Sequence, residues 1–293
     1  LFKDQKGRHK GTLAIEVLER EENSAKRKGF NSADFIYLIT PDRFRNGDPS
    51  NDRVKGMFEG SNRDFIGGRH GGDLAGIIES LDYFEKMGIS SLWLNPVLEN
   101  NMETYSYHGY AMTDLYNVDP RYGTNEQYKE LADKAKERGI GIIMDQVSNH
   151  IGSLHPWMSD LPSEDWVNQW SEFTQTNHMK VSRFDPHGAE VDRRQFTDGW
   201  FVETMPDLNQ RNEKLARYLI QNSIWWVEYL GLHGIRMDTW PYPDKQFLVD
   251  WTEAILQEYP NFNIVGEEWV SNPSLFFVFL IDTFCADMIG ARL

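Results

Sequence analysis

Short runs of apolar and β-branched residues alternate along the chain with amphipathic stretches of helical period. Each run has the length of a buried strand, and each stretch places apolar residues three and four positions apart, on one face of a helix. The five predicted strands span residues 34–40, 89–95, 141–145, 234–238 and 263–267. A strand followed by a helix, repeated along the chain, is typical of βα units and a parallel sheet.

Three predicted helices each end before a glycine, at Gly88, Gly139 and Gly231. Glycine is favoured there because many helices end with a residue in the left-handed conformation, which glycine adopts without steric cost. The apolar face of the first helix is formed by Leu74, Ile77, Ile78, Leu81 and Phe84. We expect such faces to cover the sheet.

A long stretch without clear period, residues 151–210, separates the third and fourth predicted strands. It is too long for a plain loop, and we interpret it as a small subdomain above the C-terminal face of a barrel, where active sites lie. An open doubly wound sheet would explain the same alternation, but its glycine-rich nucleotide-binding turn is absent after Thr40. We therefore predict an α/β fold, a (β/α)8 TIM-type barrel that is incomplete in this chain.

The expected organisation has four parts. Residues 1–33 form an N-terminal segment, residues 34–150 carry barrel strands 1 to 3, residues 151–210 form the insertion, and residues 211–293 carry strands 4 and 5 and an atypical apolar tail. Because the chain lacks an initiator methionine and shows only five predicted strands, we expect a truncated part of a longer protein.

The composition excludes several classes of protein. With 293 residues, 40% of them hydrophobic, the chain can bury a large core. A formal net charge of −15 argues against a nucleic-acid partner, which needs a basic surface on the protein. Cys285 is the only cysteine, so no internal disulfide is possible, and no apolar stretch is long enough for a membrane span. A neutral partner fits best, and the sequence leaves the oligomeric state open.

Asp238 and Glu267 end two successive predicted strands, whose carboxyl ends meet at one mouth of a barrel. Retaining glycoside hydrolysis needs two carboxyl groups about 5 to 5.5 Å apart, one ionised and one protonated. Arg236, two residues before Asp238, points to the same side of the strand and is expected to keep that carboxylate ionised. A drier setting is expected to raise the pKa of Glu267. A single strand-end carboxylate is more often a cap or a solvated loop residue, so only the combination favours catalysis.

Six short segments carry polar and aromatic residues near the ends of the predicted strands. They are DRFRNGDPSND (residues 42–52), YHGY (107–110), DQVSNH (145–150), MPDLN (205–209), GIRMDTWPY (234–242) and GEEW (266–269). They resemble the motifs of the α-amylase superfamily, glycoside hydrolase family thirteen, and the resemblance runs from about residue 34 to 270. It implies a (β/α)8 barrel that hydrolyses or transfers α-glucosidic bonds, with the insertion as domain B after strand 3.

The resemblance also implies roles for single residues. Asp238 matches the catalytic nucleophile, Glu267 the general acid/base and Arg236 the partner of the nucleophile. The residues that match the sugar contacts of the cleavage subsite, or the structural aspartate beside them, are His150, Tyr110, His108 and Asp145. Tyrosine faces and imidazole donors suit a neutral ligand rich in hydroxyl groups.

Two further aromatic residues, Trp240 and Tyr242, directly follow the nucleophile strand and are candidates for the leaving-group subsites. His150 has a competing interpretation, because a histidine at a strand-to-loop junction is more often a capping or packed residue. Its place in the DQVSNH motif favours the contact to sugar.

The segment NGDPSND is rich in oxygen ligands of the kind that calcium prefers. Its four candidate ligands are Asn46, Asp48, Asn51 and Asp52. The resemblance to neopullulanases, cyclomaltodextrinases and cyclodextrin glucanotransferases implies a Ca²⁺ site here that Gly71 and Asp73 complete. Ordinary turn chemistry is the alternative explanation for this composition.

A second, weaker calcium site is implied between the barrel and domain B. Its candidate ligands are Asn149 and Asp207, and Tyr242 occupies a position where the family often has a histidine ligand.

The resemblance is strongest to the neopullulanase and cyclomaltodextrinase branch, which implies α-1,4-glucosidic bonds of maltooligosaccharides, cyclodextrins or pullulan as substrates. A non-catalytic amylase-like or glucan-binding protein is the alternative, but neither needs both Asp238 and Glu267. The motif that carries the third catalytic aspartate is absent, so we expect this chain alone to have little or no activity. The resemblance favours a periplasmic or secreted protein, and a cytoplasmic one stays open.

Overall fold

The computed structural model describes residues 2–3, 9–11 and 19–269, and the apolar tail noted at residues 275–293 lies outside them. Near the N-terminus, strands β1 (Phe2–Lys3) and β2 (His9–Gly11) pair antiparallel. The main sheet has five parallel strands, β3 (Ile36–Ile39), β4 (Ser91–Leu94), β5 (Gly141–Gln146), β6 (Gly234–Met237) and β7 (Ile264–Gly266). These five confirm the predicted strands.

Neighbouring strands of the main sheet are also neighbours in the chain, in the order β3-β4-β5-β6-β7. A doubly wound sheet reverses its order at a switch point, and the described strands of this sheet show no reversal. Parallel strands that follow one another in chain order, with helices between most of them, are the arrangement of a (β/α)8 barrel. The described part of the chain is therefore a partial TIM-type barrel, as predicted.

Helices connect the strands and cover the sheet. They are α1 (Pro41–Phe44), α2 (Leu74–Ile78), α3 (Leu81–Lys86), α4 (Asn125–Glu137), α5 (Val181–Phe184), α6 (Glu190–Asp198), α7 (Glu213–Leu230) and α8 (Lys245–Glu258). Gly88, Gly139 and Gly231 follow α3, α4 and α7 with φ angles of 74°, 72° and 69°. The left-handed helix ends predicted at these three glycines are confirmed.

The apolar residues between Leu74 and Phe84 lie on two short helices, α2 and α3, so the prediction of one continuous helix is wrong. Ser80 lies between them with φ −103° and ψ 5°, outside the helical region. Its hydroxyl donates to the Gly76 carbonyl at 2.7 Å. A serine that bonds to the preceding turn competes with the regular helix, which is interrupted here.

Two buried tryptophans hold α7 and α8, the helices that precede and follow β6. The Trp226 indole N–H donates to the Leu115 carbonyl at 2.9 Å, and the Trp251 indole N–H donates to Ser223 Oγ at 2.8 Å. A buried indole N–H without an acceptor would be costly, and both are paired. These contacts fix the two helices around the strand that carries Arg236.

Residues 151–210, between β5 and α7, contain α5, α6 and irregular structure. The two ends of this segment are adjacent, because His150 and Asp207 form an antiparallel bridge and the Leu208 N–H donates to the Asn149 carbonyl at 2.8 Å. The division of the chain into domains, with this segment as domain B, stays a prediction. Among the described residues, the helices are too short or too polar to cross a membrane.

The start of α7 gives a test of the fold. Asn212 Oδ1 accepts the N–H groups of Lys214 and Leu215 at 3.0 and 3.1 Å. Asn212→Ala removes this acceptor, and we expect the free energy of unfolding to fall by about 1 kcal/mol. Asn212→Ser keeps an acceptor and is expected to recover most of the loss. Urea denaturation measures both, with Lys214→Ala as control, and equal stabilities of the Ala and Ser variants would contradict the cap.

Candidate active site

Arg236 lies at the centre of three carboxylates at the ends of three neighbouring strands. Its Nη1 atom is 2.7 Å from Asp145 Oδ1 and 2.7 Å from Asp238 Oδ1, and its Nη2 atom is 2.5 Å from Glu267 Oε1. The register explains the cluster, because Asp145 is opposite Arg236 in β5 and β6, and Glu267 directly follows β7. The structure therefore brings the two candidate catalytic acids onto one guanidinium.

The backbones of these two acids are fixed by hydrogen bonds that extend the sheet. The Asp238 N–H donates to the Gln146 carbonyl at 2.8 Å, and the Glu267 N–H donates to the Met237 carbonyl at 2.9 Å. Thr239 has a φ of 48°, which β-branched residues rarely adopt. In this conformation its N–H donates to Glu267 Oε2 at 2.9 Å. Glu267 is thus held by the guanidinium at one oxygen and by a backbone amide at the other.

Asp145 is surrounded by donors from the protein. Its Oδ2 atom accepts from Trp93 Nε1 and from the Tyr110 hydroxyl, both at 3.0 Å, and Asn95 Nδ2 donates to the same hydroxyl at 3.2 Å. The Arg236 guanidinium lies 5.3 Å from the ring centre of Trp93 and 5.9 Å from that of Tyr110, which favours a cation at this position. Asp145 therefore serves to orient Arg236.

Burial sets the acidity of the cluster. It raises the pKa of Asp238 to about 8; the neighbouring Asp145 adds to this effect and Arg236 opposes it. Burial also raises the pKa of Asp145 to about 6, although the charge of Arg236 and its hydrogen bond lower this pKa. Arg236 therefore favours the ionised form of Asp238, as expected, but burial and the neighbouring carboxylates outweigh its effect on this pKa. Near neutral pH the cluster retains a proton.

Two histidines at the site are neutral at pH 7. Burial lowers the pKa of His150 to about 3 and that of His108 to about 4. His108 Nδ1 accepts the Tyr110 N–H at 2.9 Å, so its own proton is on Nε2. The His150 ring stacks on Phe201, with ring centres 5.4 Å apart. Each imidazole has one N–H that can donate to an uncharged hydroxyl group.

Trp240 and Tyr242 are both buried. Trp240 packs in the core with its ring centre 6.2 Å from that of Trp251, and a Cβ added at Gly266 would lie 2.6 Å from the Trp240 ring. Contrary to expectation, Trp240 therefore presents no open ring to a ligand. The Tyr242 hydroxyl lies 2.9 Å from His178 Nδ1, and its ring lines a small cavity at the mouth of the sheet.

Sequence reasoning missed several residues of the site. Trp93 lies between Leu92 and Leu94 in β4. Because side chains alternate along a strand, this position could have placed Trp93 on the face of the sheet that carries the site. Phe201 and Lys180 come from the long insertion, where the sequence has no period that would have identified them.

The family of the chain follows from comparison with known proteins. The family model for the alpha amylase catalytic domain matches residues 38–283. The chain belongs to the alpha-amylase family. Within this family it is 32% identical over 243 residues to a cyclomaltodextrinase of Thermoanaerobacter pseudethanolicus. The alignment covers 80% of this chain and 39% of that protein.

Two other relatives agree. An intracellular maltogenic amylase of Bacillus subtilis is 30% identical over 239 residues, covering 80% of this chain and 38% of that protein. The crystal structure of alpha-amylase from Geobacillus thermoleovorans, complexed with acarbose, aligns with a TM-score of 0.67 and 32% identity over 84% of this chain and 49% of that chain. The chain spans about two-fifths of the length of the two curated relatives.

The first candidate calcium site is a loop in which some side-chain oxygen atoms have no hydrogen bond. Asn46 Oδ1 and Asn51 Oδ1 are buried without a hydrogen bond among the described residues. Asp52 Oδ1 accepts from Asn46 Nδ2 at 2.7 Å, and a Cβ added at Gly71, whose φ is 86°, would lie 2.2 Å from that oxygen. The structure brings these four residues together.

The other two predicted ligands of that site have partners within the protein. Asp73 accepts the N–H groups of Gly47 and Asp48 at 2.9 and 2.8 Å, and Asp48 Oδ1 accepts from the Ser50 N–H and hydroxyl at 3.0 and 2.6 Å. Turn chemistry therefore explains Asp48, whereas it leaves the Asn46 and Asn51 oxygens without a role.

The second candidate calcium site contains a fully buried carboxyl group. Burial raises the pKa of Asp207 well above its usual value, although Asn168 Nδ2 donates to its Oδ2 atom at 2.8 Å. Asn149 Oδ1 is buried nearby without a hydrogen bond among the described residues. Over those same residues no three His, Cys, Asp or Glu side chains cluster as metal ligands.

The raised pKa of Asp238 predicts how stability changes with pH. In the folded protein the pKa of this carboxyl is about 8, whereas the unfolded chain releases the proton near the ordinary aspartate pKa of 3.8. The folded state therefore binds more protons between these values, and the contribution of Asp238 makes stability fall as pH rises from about 4 to about 8.

Asp238→Asn removes this titration. Relative to the wild type, we expect the variant to gain stability with rising pH across this window, with a slope of up to about 1.4 kcal/mol per pH unit. Urea denaturation between pH 5 and 8 measures the difference, with exposed Asp133→Asn as control. Parallel pH profiles of the wild type and Asp238→Asn would contradict the raised pKa.

Proposed function

We propose that the protein carrying this chain is a retaining α-glucan hydrolase that cleaves α-1,4-glucosidic bonds through a covalent glycosyl-enzyme intermediate. One observation carries the proposal: Asp238 and Glu267 contact opposite nitrogens of the same guanidinium at 2.7 and 2.5 Å. Two carboxyl groups so close together suit retention, because the nucleophile must reach the anomeric carbon without an intervening water.

The reaction divides between the two acids. Asp238, ionised, attacks the anomeric carbon, while the carboxyl proton of Glu267 passes to the leaving oxygen as the glucosidic bond breaks. Glu267 then accepts a proton from water, and that water displaces Asp238 from the sugar. The reactive form is the one in which Asp238 is ionised and Glu267 carries a proton.

The substrates we propose are maltooligosaccharides, cyclodextrins and pullulan. The site offers neutral imidazole donors, from His150 and His108, and a tyrosine ring, Tyr110, all suited to an uncharged ligand with many hydroxyl groups. The relatives support the same class, since one is named for cyclomaltodextrin, another is a maltogenic amylase, and the aligned crystal structure holds acarbose. A non-catalytic amylase-like or glucan-binding protein would have no use for the acid pair.

Glu267→Gln tests the assignment of the acid. In the full-length protein we expect kcat on maltoheptaose and β-cyclodextrin to fall by roughly 10²- to 10⁴-fold, because the amide cannot transfer a proton. Glucan binding, measured by calorimetry, is expected to stay nearly unchanged. The exposed variant Glu130→Gln is the control. A wild-type full-length protein that is inactive on maltoheptaose, β-cyclodextrin and pullulan would overturn the proposed function.

We also propose that Ca²⁺ binds at the loop that contains Asn46, Asn51 and Asp52. Two buried amide oxygens without hydrogen bonds, beside a carboxylate, support this proposal. Calcium prefers oxygen ligands of these kinds. The Gly71 backbone passes close to the same carboxylate, so a carbonyl from this segment can join the set. Such an ion would tie the loop after β3 to the segment before α2.

Removal of calcium tests this second proposal. With EDTA we expect the melting temperature to fall by roughly 5 °C relative to excess Ca²⁺, because an ion that binds only the folded state stabilises it. Asp52→Ala is expected to abolish most of the difference, and Mg²⁺ in place of Ca²⁺ to restore little of it. A melting temperature that does not respond to EDTA in the wild type would contradict the site.

A further inference from the structure

A segment of the insertion crosses to the strand ends that carry the acid pair. His178 Nδ1 lies 2.9 Å from the Tyr242 hydroxyl, and the Arg183 guanidinium donates to the Pro241 carbonyl. Both partners belong to the chain just after β6. Residues 178–183 are therefore attached to the mouth of the sheet, and Lys180 lies between the two attachment points.

Lys180 is directed inward. Its side chain is 11% exposed, its Nζ atom is 3.5 Å from Glu268 Oε1, and it lies 5.3 Å from the ring centre of Trp269. Burial lowers the pKa of this ammonium group, and the carboxylates of Glu268 and Glu267 oppose that effect. Placing a lysine here costs solvation, and the long contact to Glu268 recovers only part of it.

The surroundings of Lys180 indicate where a ligand would lie. Lys180 and Glu267 line one small cavity, whose other walls are Phe201, Thr239, Tyr242 and Trp269. Asp145, Tyr110 and the two neutral histidines are not among these walls. The cavity is thus bordered by Glu267 but by none of the residues assigned to the cleavage subsite, although its wall Phe201 stacks on His150. A general acid donates to the leaving oxygen, so the sugar that departs lies on its side of the site.

We propose that Lys180 binds the sugar on the leaving-group side, with its ammonium group donating to a hydroxyl of that sugar. An ammonium group has three N–H donors, and the contact to Glu268 accounts for one, so two are available. The inference rests on the proposed function and deepens it. It assigns to the insertion a direct contact with the departing glucan and with any sugar that acts as acceptor in place of water.

A pair of substrates isolates this contact. Maltotriose has a sugar on the leaving-group side, whereas α-maltosyl fluoride has only fluoride there. In the full-length protein, we expect Lys180→Met to lower kcat/KM for maltotriose by roughly ten- to a hundredfold, the effect of one hydrogen bond to a charged group. The value for α-maltosyl fluoride is expected to change less than about twofold, because no sugar hydroxyl faces Lys180 in that reaction.

Three further variants complete the experiment. Lys180→Arg is expected to recover part of the loss on maltotriose, Lys180→Gln repeats the test should Lys180→Met fold poorly, and the exposed Lys214→Met is the control. Transfer of maltosyl units from the fluoride to added glucose should decline in Lys180→Met together with the rate on maltotriose.

Each outcome decides between the two proposals. Equal losses on both substrates would show that Lys180 supports the arrangement of the site, and an unchanged rate on maltotriose would show that it contacts no sugar; either overturns the inference. A wild-type protein that cleaves neither substrate would instead overturn the proposed function, and the inference with it.

Discussion

A single guanidinium must balance three carboxyl groups, two of them buried and the third partly exposed, and the structure around the site depends on this constraint. Arg236 contacts Asp145 and Asp238 through one nitrogen and Glu267 through another. If all three acids were ionised, the cluster would carry a net charge of about −2. Burial makes that state unfavourable. The cluster instead keeps a proton, as the raised pKa values of Asp145 and Asp238 indicate.

The fold provides this arrangement because parallel strands end at the same level. β5, β6 and β7 are neighbours in the sheet, and each supplies one member of the cluster or the residue that follows it. The indole of Trp93 and the hydroxyl of Tyr110 then occupy the second oxygen of Asp145, which leaves the guanidinium in one orientation. Strand register, rather than loop conformation, therefore sets the distances between the acids.

Most of the fold and the central residues of the site could be predicted from the sequence. The five strands were visible as short apolar runs, and the acids were visible because strand ends converge in a barrel. The sequence placed Arg236 beside Asp238 but could not show that burial raises the pKa of this carboxyl, because burial is set by tertiary packing. The burial of Trp240 depends on a tertiary contact with Gly266 that no local pattern contains, whereas the break at Ser80 comes from a local bond to Gly76 that the apolar period did not reveal.

The insertion, residues 151–210, begins and ends at neighbouring positions of the barrel. Residues 150 and 207 pair with each other where the insertion leaves and rejoins the barrel. Because its two ends are already joined by backbone hydrogen bonds, the length of chain between them has little effect on the sheet beneath. A change in the length of this segment would therefore leave the strands that carry the acid pair in place. The strands and the segment that lies between them in the chain can vary separately.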